Sequence, residues 1–111
     1  MKVAIIGSRN IIIDNLKKYL PDNIEEIVSG GAKGVDTCAR KYATENNIRL
    51  VECLPDYRKY GRIAPLKRNL QIIDYADEVI AFWDGSSRGT KYVIDNCNKK
   101  NKKITIFIKQ S

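Results

Sequence analysis

Short apolar segments alternate with helical patterns along the chain, and this alternation restricts the fold more than any other feature of the sequence. Segments rich in isoleucine and valine predict strands over residues 3–6, 24–29, 48–53, 78–82 and 104–108. Apolar residues recur between them at helical spacing, as Ile12, Leu16 and Leu20 do before Pro21. This order predicts a Rossmann-like three-layer α/β/α sandwich around a five-stranded parallel sheet. Analogy with doubly wound sheets favours the strand order 3-2-1-4-5.

Length and composition place the chain among globular proteins. At 111 residues it is expected to form one domain over residues 1–111, and 43% hydrophobic with 30% charged residues is typical of a folded chain. Apolar runs stay well below the ~18 residues of a membrane span, and the first residues lack the apolar core of a signal peptide. We therefore expect a cytoplasmic protein that makes no contact with a membrane.

Residue types that are missing exclude several kinds of chemistry. The chain has no histidine, so it has no Ser-His or Cys-His nucleophile pair and no histidine metal site. Cys38, Cys53 and Cys97 form no CxxC pair, which argues against zinc ribbons and thioredoxin-type redox motifs. We expect reduced, mostly buried thiols, no metal site and no cofactor.

The net charge of +7 is concentrated in residues 54–68 and 96–111. Lysines at 99–103 fall at the end of a predicted helix, where cations complement the helix dipole. Contact with a polyanion is the alternative explanation for them. In residues 54–68, Tyr57 and Tyr60 stand among basic residues and are able to stack on a base, or they belong to a solvated surface loop.

The loop after the second predicted strand holds three glycines in five positions. Folding alone explains this poorly, because each glycine loses more conformational entropy than another residue would. Exposed N–H groups at a helix N-terminus make a ready anion site, although the spacing matches neither the dinucleotide fingerprint nor the phosphate loop of the NTPases. The alternative to an anion site is that the glycines serve only a tight turn. We predict ligand contacts here from Ser29, Gly30, Gly31, Ala32, Lys33, Gly34 and Asp36.

Other loops that follow strands carry similar signals. Ser8 is a candidate cap for the next helix, and Arg9 suits a phosphate or a carboxylate. Trp83 is either a pocket wall or a plug at the end of the sheet. Strands 1 and 4 of a doubly wound sheet flank the point where the strand order reverses, so these loops should face one crevice. The further predicted ligand contacts are Gly7, Ser8, Arg9, Arg68, Asn69, Trp83, Ser86, Ser87, Gly89 and Thr90.

These motifs together resemble the SLOG superfamily, which includes SMF/DprA-like and LOG-like proteins, and they are most similar to its small single-domain YspA-like, YpsA-related branch. The resemblance implies a Rossmann-like fold that binds nucleotide-derived ligands, with phosphates on the two glycine loops. It rests on Gly7-Ser8-Arg9, Ser29-Gly30-Gly31-Ala32-Lys33-Gly34-Val35-Asp36, Ala64 with Arg68-Asn69, Ala76-Asp77, and Phe82-Trp83-Asp84-Gly85-Ser86-Ser87-Arg88-Gly89-Thr90.

An enzymatic activity carries over less well from this resemblance. LOG enzymes are phosphoribohydrolases with a P-G-G-x-G-T-x-x-E pattern, and the chain keeps Gly89 and Thr90 but has Val93 in place of the glutamate. The next carboxylate, Asp95, would point in another direction on a helix. The sequence assigns no catalytic residue.

Three functions therefore stay open. The first is a protein that binds a nucleoside phosphate or an ADP-ribose-like ligand, for example as a sensor. The second is a nucleotide-processing enzyme that cleaves an N-glycosidic bond, and the third is a DprA-like module that binds nucleic acid. Edge strands present unpaired backbone groups, so a homodimer is a further hypothesis.

Overall fold

A five-stranded parallel sheet forms the centre of the molecule. The computed structural model describes residues 1–109. Its strands run in the order β3-β2-β1-β4-β5, so the predicted strands, their parallel arrangement and their order are all confirmed. The central strand is β1, which pairs with β2 on one side and β4 on the other. The strands are β1 Lys2–Gly7, β2 Glu26–Ser29, β3 Arg49–Glu52, β4 Glu78–Trp83 and β5 Ile104–Ile108.

Helices cover both faces of the sheet and confirm the three-layer Rossmann-like sandwich. Because side chains alternate along a strand, Val3 and Ile5 of β1 face one layer and Ala4 and Ile6 face the other. The first layer contains α1, and the second contains α3 and α4. The helices are α1 Val35–Glu45, α2 Tyr57–Tyr60, α3 Ala64–Tyr75 and α4 Arg88–Lys99, with 3₁₀ turns at Leu16–Tyr19 and Gly61–Ile63.

The prediction of a helix from the apolar residues at helical spacing that begin at Ile12 is wrong. The chain runs irregularly after β1 and makes only the 3₁₀ turn Leu16–Tyr19 before β2. Three successive β-branched residues begin this stretch, and such residues lose side-chain freedom in a helix. Ile11 is buried while Ile12 is 77% exposed, so the segment places its apolar residues by an extended path.

Most of the lysines near the C-terminus bind groups of the protein itself. The carbonyl oxygen of Ala76 accepts a hydrogen bond from Lys102 Nζ at 2.5 Å. The other contacts of this kind are Lys100 Nζ to Asp74 at 2.7 Å, Lys103 Nζ to Glu78 at 3.2 Å and Lys109 Nζ to the Tyr19 hydroxyl at 2.6 Å. These lysines therefore attach the end of α4 and the strand β5 to their neighbours, which leaves less of the charge for a polyanion.

In the described part of the chain, residues 1–109, the outermost strands β3 and β5 each pair with one neighbouring strand only. On β5, Ile106 is 39% exposed and Ile108 is 60% exposed. The homodimer stays a prediction. Within residues 1–109, no helix combines the length and the apolar character that crossing a membrane requires.

Candidate functional site

A cleft of about 410 Å³ lies where the loops after β1, β2 and β4 meet the start of α3. This is the carboxyl edge of the sheet, where ligands bind in doubly wound folds. The size lies within the range of small-molecule sites. The structure brings most of the predicted ligand residues together here, namely Gly7, Ser8, Arg9, Gly30, Ala32, Asp36, Arg68, Asn69, Ser87, Gly89 and Thr90. Their contact with a ligand stays a prediction.

The remaining predicted residues lie outside the cleft lining, and several of them make hydrogen bonds within the loops that form it. Ser29 Oγ accepts a hydrogen bond from the Gly31 amide at 3.4 Å. Trp83 Nε1 donates to the carbonyl of Ser87 at 3.0 Å, so the indole fixes the loop after β4 instead of forming the wall. The residues that the structure places behind or beside the cleft are Ser29, Gly31, Lys33, Gly34, Trp83 and Ser86.

Ser8 joins the loops after β1 and β4 instead of capping a helix. The predicted helix after it does not form, and the Ser8 side chain is buried. Its amide donates to the carbonyl of Phe82 at 3.1 Å, and its hydroxyl accepts from the Asp84 amide at 3.4 Å. The two loops are thereby held at one end of neighbouring strands.

The glycine loop after β2 is braced from both sides. Asp36 Oδ2 accepts a hydrogen bond from the Ala32 amide at 3.0 Å. Arg68 Nη1 donates to the Gly30 carbonyl at 2.7 Å, and Arg68 Nε donates to Asn69 Oδ1 at 2.8 Å. A Cβ on Gly30 would lie 2.6 Å from Arg68 Nη1, so the guanidinium would have to shift to accommodate a side chain there. The loop therefore uses part of its polar groups for its own shape.

Gly34 allows the loops after β1 and β2 to pack backbone against backbone. Its φ of 71° lies in the region that favours glycine. A Cβ there would lie 2.4 Å from the carbonyl oxygen of Arg9 and 2.7 Å from that of Ser8. This contact fixes Arg9 and its neighbours against the start of α1.

The loop after β4 is organised around Asp84. Its Oδ1 atom accepts from the amides of Ser86 at 2.9 Å and Ser87 at 2.7 Å, and these bonds hold the pKa of Asp84 below its ordinary value. The amides of Gly89 and Thr90 belong to the first turn of α4, where N–H groups have no acceptor within the helix. Both residues line the cleft. This helix end therefore supplies donors for an anion.

Burial raises the pKa of Asp36, because the side chain is only 7% exposed. The folded protein then holds the Asp36 proton more tightly than the unfolded chain, so the contribution of Asp36 to stability falls as the pH rises above its ordinary pKa of 3.8. Asp36→Asn removes the titration and keeps an oxygen for the Ala32 amide. We expect the variant to lose less stability than the parent between pH 4 and pH 7 in urea unfolding. Parallel curves for the two proteins would contradict this.

Sequence reasoning left several cleft residues out of the predicted site. Asn10 follows the predicted Arg9, and Asp84 lies between predicted residues of the loop after β4, so a neighbour signal existed for both. Pro65 and Leu66 lie in the first turn of α3 and also line the cleft, although neither was among the predicted ligand contacts. Tyr57, a candidate for base stacking, is 59% exposed and lies outside the cleft lining.

A family comparison matches the first half of the chain. The model described as the YspA, cpYpsA-related SLOG family matches residues 1–60, which include β1, β2, α1 and β3. The match therefore covers both the Gly7 loop and the glycine loop after β2. Neither the curated proteins nor the solved structures gave a significant match.

Proposed function

Since the chain belongs to the YspA, cpYpsA-related SLOG family, which suggests a nucleotide-related function, we propose that it binds a nucleotide or nucleotide-derived ligand in the cleft. The observation that carries the proposal is the convergence of the three loops on one cleft of about 410 Å³ at the carboxyl edge of the sheet. Ligand classes that fit are nucleoside phosphates and ADP-ribose-like molecules.

Cationic and amide groups in the cleft support a phosphate. Arg9 is exposed at the rim, and within residues 1–109 no carboxylate forms an ion pair with it. Guanidinium groups bind phosphate through two hydrogen bonds at once. The first amides of α4 add dipolar attraction at the same cleft. A phosphate between Arg9 and the start of α4 would use both kinds of donor.

The carboxylates of the cleft favour binding over cleavage. Cleavage of an N-glycosidic bond needs a carboxylate that is free to stabilise positive charge or to activate water. Val93 lines the cleft at the position where LOG enzymes carry glutamate. Asp36 accepts from the Ala32 amide, and Asp84 accepts from two serine amides. Both carboxylates thus already have partners, which suits a protein that holds its ligand unchanged, as a sensor does.

The test is titration calorimetry with nucleoside mono- and diphosphates of the four common ribonucleosides and with ADP-ribose. At least one of them is expected to bind in the micromolar range, while the matching nucleoside without phosphate binds more weakly. Chromatography of the same mixtures after incubation is expected to show unchanged ligand. Absence of binding by the whole panel to folded protein would overturn the proposal, and release of free base would replace it by the hydrolase alternative.

A further inference from the structure

A second cavity of about 460 Å³ lies beside the cleft, between the irregular segment after β1 and helix α1. Its apolar wall includes Ile13 and Leu16, together with Tyr42 from α1. Ile12, with 77% of its surface exposed, also lines this cavity. Ile12 therefore adds exposed apolar surface to the wall that Ile13, Leu16 and Tyr42 form.

The two cavities share a wall. Arg9 and Asn10 line both of them. The backbone of Arg9 packs directly against Gly34, whose missing Cβ makes this close approach possible. The two spaces are therefore neighbours across a single short stretch of chain, with the Arg9 guanidinium available at the boundary.

The charged side chains around the second cavity are two basic and two acidic ones, whereas a phosphate site needs an excess of positive charge. Arg9 and Lys41 are opposed by Asp14 and Glu45, and Lys41 Nζ lies 4.0 Å from Glu45 Oε1. A neutral, flat group gains most from such a site, because it buries apolar surface against Ile13 and Tyr42 without removing a charge from water. A second phosphate would gain nothing comparable there.

We propose that the second cavity binds the distal half of a two-part ligand, in which phosphate joins the nucleoside in the cleft to a second flat, uncharged group. The linking phosphate then passes Arg9, and the second group lies between Tyr42 and the segment after β1. This inference rests on the proposed function and specifies its ligand class. Each cavity alone is large enough for one nucleoside-sized group.

The experiment compares two probes: the nucleoside diphosphate that binds best in the calorimetry panel, and the dinucleoside diphosphate built from the same nucleoside. The second cavity is to be filled by Thr37→Trp, at an exposed position of α1 that lines it. Thr44→Trp is the matched control, since Thr44 is also an exposed threonine of α1 but lies outside both cavities. Lys41→Trp, one turn after Thr37, repeats the test with an independent variant.

The parent protein is expected to bind the dinucleoside diphosphate about 10-fold more tightly than the nucleoside diphosphate. Thr37→Trp and Lys41→Trp should abolish that advantage, while Thr44→Trp keeps both affinities. Lys41→Trp should also leave the affinity for the nucleoside diphosphate unchanged, whereas Thr37→Trp removes the hydrogen bond from Thr37 Oγ1 to the Ala32 carbonyl in the cleft wall. Equal affinities of the parent for the two probes, or an advantage that survives both filling variants, would overturn this inference and leave the proposed function standing. Failure of every nucleotide to bind the parent would overturn both.

Discussion

Replacing Gly89 by glutamate is expected to weaken nucleotide binding by about 100-fold while the protein stays folded. Gly89 lines the cleft in the first turn of α4. A Cβ built on it meets no heavy atom of the described residues within 4 Å, so a side chain there has open space. The carboxylate would stand where the proposal places a phosphate, and the two negative charges repel each other.

The stability of the Gly89→Glu protein should rise by about 1 kcal/mol. A helix gains stability when a glycine is replaced by a residue with less backbone freedom, and an acid in the first turn complements the helix dipole. Gly89→Gln is the matched control, because it adds nearly the same volume without the charge and should weaken binding much less. Calorimetry and urea unfolding measure the two effects. Unchanged affinity in Gly89→Glu would show that the ligand does not use the start of α4.

Gly34→Ala is expected to lower the free energy of unfolding by about 4 kcal/mol. Two costs combine at this position. Alanine is strained at the Gly34 backbone angles of φ 71° and ψ −121°, and its Cβ would collide with the carbonyl oxygen of Arg9 at 2.4 Å. Because the atoms on the other side belong to the backbone, they yield only if the loop after β1 moves.

Gly61→Ala separates the two costs. Gly61 has φ 59° and ψ −135°, close to the angles of Gly34, but among the described residues nothing lies within 4 Å of its Cβ position. Only conformational strain then remains, and we expect Gly61→Ala to lower the free energy of unfolding by about 2 kcal/mol. Urea unfolding of the two variants gives the difference. Equal losses would mean that the contact between Gly34 and Arg9 contributes nothing to stability.

The sheet could be predicted from sequence because its strands are rich in isoleucine and valine, and the inner strands β1, β2 and β4 are buried on both faces. A strand such as β4 is apolar at nearly every position, so residue types alone indicate both the strand and its place in the order of strands and helices. The segment after β1 could not be predicted this way. Ile12 fits a helical stripe, yet three β-branched residues in a row and the burial of Ile11 lead the chain along another path.

The location of the candidate site was predictable for the same reason, since the fold brings loops after neighbouring strands to one edge. The hydrogen-bond partner of each polar side chain could not be predicted. Asp36 and Asp84 each accept hydrogen bonds from amides of their own loops, and the Trp83 indole donates one to the Ser87 carbonyl. Such local hydrogen bonds depend on backbone angles that residue types alone leave open. Leu66 lines the cleft because α3 begins beside the cleft, which its apolar side chain alone did not indicate.

The position of β1 in the middle of the sheet has a consequence for synthesis on the ribosome. The family match ends at residue 60, but the second neighbour of β1 is β4, which begins at Glu78. A nascent chain that has reached residue 60 would still expose one hydrogen-bonding side of β1, and Ala4 and Ile6 would lack the partners that α3 later provides. Residues 1–60 are thus an incomplete folding unit. The strand β1 gains its second neighbour and its second helical layer only after β4, α3 and α4 have been synthesised.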